Sequence, residues 1–73
     1  MKKTIYSDEH KRIVERLLKA REDAGLDQTQ VAKRFGKTQS FISKIESGQR
    51  RIDLVQLKEF AKLYKKNIEY FLS

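Results

Sequence analysis

Residues 30 to 48 read QVAKRFGKTQSFISKIESG, two short helical runs joined by Gly36, Lys37 and Thr38. Two helices that meet steeply across so short a turn make demands on particular positions. The first needs a small residue where the second crosses it, and Ala32 is there. The turn needs a residue that accepts a positive φ, and Gly36 follows four residues later. The second helix must point apolar side chains back at a spacing of three, as Ile42 and Ile45 do. The spacing Ala32-x3-Gly36-x5-Ile42-x2-Ile45 therefore predicts a packed pair of helices. The other face of the second helix holds Gln39, Ser40, Ser43 and Lys44, which a core has no use for.

Outward from this pair, the chain reads as helix throughout, with no alternation of the strand kind. Ser7 is the expected N-cap of a first helix, with Asp8 and Glu9 complementing its dipole. Ile13, Leu17, Ala20 and Ala24 form its apolar stripe, with Val14 and Leu18 beside them, and Gly25 ends it. Leu26 can fold back on the last turn. Asp27 caps a second helix, and Gln30 stands where a capping-box partner belongs. Thr38 caps the third helix and Gly48 closes it. Asp53 caps a fourth, whose inward face is Leu54, Leu57, Ala61 and Tyr64. Asn67 precedes a last turn carrying Ile68, Phe71 and Leu72. The expectation is an all-α fold of five helices, with residues 1–6 a basic N-terminal arm and 7–73 one domain.

Seventy-three residues bury only about 60% of their unfolded surface, so a single modest core is expected. The chain has no cysteine and one histidine, His10, which excludes a disulfide framework and offers no metal site. Paired carboxylates, a Ser/His/Asp set and a phosphate-binding glycine loop are absent from the pattern. No enzyme activity and no cofactor is expected. No apolar run is long enough for a membrane span and no secretory signal opens the chain, so a soluble, cytoplasmic protein is expected. The formal net charge is +7. Most of it lies between residues 28 and 52, where Lys33, Arg34, Lys37, Lys44, Arg50 and Arg51 face Glu46 alone. Cations gathered in this way suit a polyanion, since each phosphate neutralised releases counterions. A merely solubilising basic surface is the alternative on charge alone.

From Arg21 to Leu72, most densely in LDQTQVAKRFG, TQSFISKIESG and NIEYFL, the chain resembles the phage repressor/Cro-like (XRE-type) helix-turn-helix family. The resemblance implies a compact, lambda-repressor-like bundle of five helices whose third helix, 38–47, enters the major groove of double-stranded DNA. It assigns base contacts to Gln39, Ser40, Ser43 and Lys44. The chemistry agrees, because glutamine pairs with adenine N6 and N7 and lysine donates to guanine O6 and N7. Gln28, Lys37, Thr38, Ser47, Gln49, Arg50 and Arg51 fall where phosphate contacts set register. Arg21 and Glu46 match a structural ion pair that fixes the third helix. Ile68, Tyr70, Phe71 and Leu72 are the surface assigned to a homodimer, or else the last patch of the monomer core. The implied function is a transcriptional regulator, a repressor, reading a pseudo-palindromic operator. The alternative is a protein-interaction module, an antitoxin or transcription adaptor, whose recognition face should be apolar or acidic. Two departures from the family pattern stand out. Lys37 replaces an apolar residue after the turn, and Lys65-Lys66 replace a glycine and an apolar residue between the last two helices.

Overall fold

Asp27 and Thr38 start the two helices that meet at Gly36. In the computed structural model, which describes residues 8–72, both stand in extended backbone ahead of their helices. The Asp27 carboxylate accepts from the Gln30 N–H at 2.8 Å, and the Gln30 side chain accepts from the Asp27 N–H at 2.8 Å. This capping box starts α2, Gln28–Phe35. The Thr38 hydroxyl accepts from the Phe41 N–H at 3.1 Å and starts α3, Gln39–Glu46. Between them Gly36 takes φ 65°, so its N–H reaches the Lys33 carbonyl and the Lys37 N–H reaches that of Ala32. Those two bonds satisfy the last carbonyls of α2 and turn the chain into α3.

The other helices are α1, Asp8–Asp23; α4, Leu54–Tyr64; and α5, Ile68–Leu72. Among the described residues there is no strand. The fold is the expected all-α bundle of five helices. A second capping box, Asp53 with Gln56, starts α4. The basic arm 1–6 and the Ser7 cap lie outside the described residues.

α3 packs on α1 and α2, while α1 also carries α4 and α5. Where they converge, Leu17, Ala20, Val31, Ala32, Ile42 and Ile45 are buried with Leu57, Phe60, Ala61 and Phe71. Phe35 stands edge-on to Phe60 with centroids 4.4 Å apart. Arg16 of α1 pins α5, its Nη1 donating to the Tyr70 carbonyl at 2.7 Å with the guanidinium over the Tyr70 ring.

Two expectations are corrected, and one departure from the family pattern is resolved. Ala24 lies beyond the end of α1 and is exposed, so the stripe stops at Ala20. Leu54 is 60% exposed, while Leu57 and Phe60 are buried on the inward face. The α4–α5 junction lacks the family glycine yet closes in the same way. Lys65 takes the left-handed conformation, φ 58°, and the Lys66 N–H reaches the Ala61 carbonyl at 2.9 Å.

Candidate nucleic-acid interface

The polar face of α3 is anchored from behind by one carboxylate. Arg21 Nε, from the last turn of α1, donates to Glu46 Oε2 at 2.8 Å, the two side chains being 14% and 6% exposed. The same guanidinium donates through Nη1 to the Leu26 carbonyl at 2.8 Å, tying down the α1–α2 loop. The hydrogen bond Arg21 donates to Glu46 holds the Arg21 pKa above its ordinary value, against the opposing effect of burial.

The second oxygen of Glu46 carries the arrangement outward. Glu46 Oε1 accepts from Gln28 Nε2 at 2.9 Å, and Gln28 Oε1 accepts from Gln39 Nε2. Because a carboxylate only accepts, Gln28 must turn its NH₂ toward Glu46 and its oxygen toward Gln39. Gln39 must then answer with its own NH₂. One N–H and the carbonyl oxygen of Gln39 are left for a group outside the protein. The direction of the whole relay is set by the charge at its buried end.

Around this relay, Gln39, Ser40 and Lys44 are exposed on α3 and Ser43 is half-buried. Gln28 is half-buried at the start of α2, next to Gln39. Thr38 spends its hydroxyl on the cap. The Ser47 hydroxyl donates to the Lys44 carbonyl at 3.2 Å. The Gln49 and Arg50 N–H groups donate to that same carbonyl at 2.9 and 3.1 Å, folding the basic loop back onto the end of α3. Arg51 is exposed; burial, with the Arg51 charge adding to it, lowers the pKa of His10 on α1. Lys37 and Arg50 both lie over the Phe41 ring, at 5.3 and 4.6 Å from its centroid. Arg34, although part of the same basic stretch, opens onto a separate cleft with Asp23, Leu26, Leu63, Lys65 and Lys66.

Sequence reading missed two things here. The bonds from Gln28 to Glu46 and to Gln39 span 18 and 11 residues, so no local spacing announces them. The seating of two cations on Phe41 was equally hidden, since Lys37 and Arg50 leave opposite ends of α3. The one available signal was Glu46, a single acid among six cations. Of the four residues assigned to a dimer surface, Phe71 is 1% exposed and belongs to the monomer core. Ile68 and Tyr70 are half-buried against that core, and Leu72 is exposed.

No group of His, Cys, Asp or Glu that could hold a metal occurs among the described residues, and none of their helices is long and apolar enough to cross a membrane. A model of the family described as helix-turn-helix matches residues 17–71, which spans α2, α3 and α4, the C-terminal part of α1 and most of α5. No curated protein matches the chain.

Proposed function

We propose a function from one premise: the chain belongs to the Cro/C1-type helix-turn-helix family and is a DNA-binding regulator. In our reading it is a cytoplasmic, sequence-specific repressor. It binds a pseudo-palindromic operator as a homodimer, with α3 of each copy in successive major grooves roughly 34–36 Å apart. The observation that carries this reading is the Glu46–Gln28–Gln39 relay. It leaves Gln39 with an outward carbonyl and one outward N–H, the pair that adenine N6 and N7 require. A solubilising surface has no need to fix the rotation of an exposed amide from a buried carboxylate. Ser40 and Lys44 extend the reading edge to either side, Lys44 toward guanine. Lys37, Arg50 and Arg51 supply phosphate contacts that set register.

The test is selection of bound sequences from randomised duplex DNA, then titration of the winner against scrambled duplex at several salt concentrations. The expected result is an inverted repeat with an adenine in each half-site, bound at least ~10³-fold more tightly than scrambled DNA. Gln39→Ala should then relax the preference at that adenine by about 1–3 kcal/mol and leave the other positions alone. If no motif is enriched and binding only fades with salt, operator reading is wrong and the domain works through a protein partner.

A further inference from the structure

Phe41 faces two demands that its neighbours make visible. It is the third residue of α3, half-buried against the core, and it borders a small recess of about 40 Å³ with Phe35 and Phe60, whose rim also includes Lys37, Gln56 and the carboxylate-bearing Glu59. Lys37 Nζ and the Arg50 guanidinium both lie over its ring, within the range at which a ring attracts a cation. The two charges are thus no farther apart than the sum of those two distances. Their backbones are held as well. The Lys37 N–H is bonded to the Ala32 carbonyl and the Arg50 N–H to the Lys44 carbonyl.

We propose that Phe41 is a positioning residue for DNA binding: its ring gathers Lys37 and Arg50 from the two ends of α3 into one preformed phosphate clamp. The inference rests on the DNA-binding reading above and adds a residue and a device to it. Lysine and arginine side chains each carry about 2 kcal/mol of rotamer entropy, part of which must be given up on gripping a phosphate. Cations already resting on a ring have less freedom left to lose when they bind. Two positive charges on one ring also repel each other, and a phosphate between them removes that repulsion. The clamp therefore favours an anion beyond what two free side chains would. It reads backbone only, so it strengthens binding to every duplex alike. Lys37 Nζ lies 5.3 Å from the Phe41 centroid.

The experiment compares wild type, Phe41→Leu and Phe41→Tyr, each with and without Arg50→Gln, on scrambled duplex and on the selected operator. Leucine keeps the apolar filling and removes the ring, while tyrosine keeps the ring. Phe41→Leu is expected to weaken both duplexes by about fivefold, leaving their ratio unchanged, and Phe41→Tyr to retain wild-type affinity. Arg50→Gln should lose at least about twofold more affinity in the wild type than in the Phe41→Leu background, a coupling that a role in folding alone would not produce. Circular dichroism confirms that each variant is folded at the assay temperature, and Phe41→Met replaces Phe41→Leu if the latter is not. Unchanged affinity in Phe41→Leu, equal losses from Arg50→Gln in both backgrounds, or a loss confined to one operator base pair would each overturn the clamp. If the wild type prefers no operator, the sequence-reading proposal fails, and the clamp is still judged on scrambled duplex.

Discussion

Arg21 does two jobs with one guanidinium, closing the α1–α2 loop at Leu26 and holding Glu46. Replacing it by methionine keeps the stem and leaves Glu46, 6% exposed, without its cation. Removal of one partner from a buried pair costs about 3–5 kcal/mol. We expect Arg21→Met near the lower end, about 3 kcal/mol in urea unfolding, since Gln28 still donates to Glu46. Tyr64 presents the opposite case. It is 4% exposed, and among the described residues its hydroxyl meets no hydrogen-bond partner. Burial, with the nearby Glu46 charge, raises its pKa well above the ordinary 10.0. The unfolded chain loses this proton near its ordinary pKa while the folded chain keeps it. Stability is therefore full below about pH 10 and declines as pH rises above it. Tyr64→Phe should remove this decline and stabilise the domain by about 1 kcal/mol at neutral pH, because it deletes an unsatisfied buried hydroxyl. Urea titrations at pH 7 and above pH 10 check both parts. The Arg21–Glu46 pair was expected from the family resemblance and is present, whereas the Tyr64 environment was not legible: helical spacing put the ring inward but could not say what its hydroxyl would meet.

At the scale of the elements, the boundaries were the legible part. Asp27, Thr38 and Asp53 cap α2, α3 and α4 through their own side chains, an interaction three residues long. Local chemistry of that kind survives translation from sequence to structure. What periodicity could not tell was where a helix stops being covered. Leu54 keeps the rhythm of α4 and is exposed, because rhythm describes the helix and not its neighbours. The α4–α5 junction shows a local preference overruled. Lys65 is held at φ 58° by the bonds that close α4, a conformation costing a side chain about 1 kcal/mol relative to glycine. Lys65→Gly should stabilise the domain by about 0.5–1 kcal/mol, partly offset by the greater freedom of the unfolded chain. Gly36→Ala, at φ 65°, should destabilise by a similar amount. A Cβ there would meet nothing, so the effect reads backbone conformation alone. Denaturation midpoints of the two variants should move in opposite directions.

For the whole molecule, the question is how two copies would pair. The large apolar side chains exposed among the described residues are Leu18, Leu54, Val55 and Leu72, while Phe71 is absorbed by the core. A stable interface buries about 800 Å² on each partner, more than these few side chains supply. In our reading the protein is a monomer in free solution at micromolar concentration and pairs on the operator. Sedimentation should show a single chain without DNA and two chains with it, binding cooperatively. A free dimer would sink that expectation. The all-α class, the five helices, the capped starts of α2, α3 and α4 and the basic centre were determined by the sequence, because caps, turns and charge act over a few residues. Only the tertiary structure decided that Gln28 would bridge Glu46 to Gln39, that Phe41 would seat cations from both ends of one helix, and that Phe71 would face inward. Those outcomes depend on which surfaces meet when α1, α2, α3 and α5 converge, and packing between distant segments leaves no mark in local spacing.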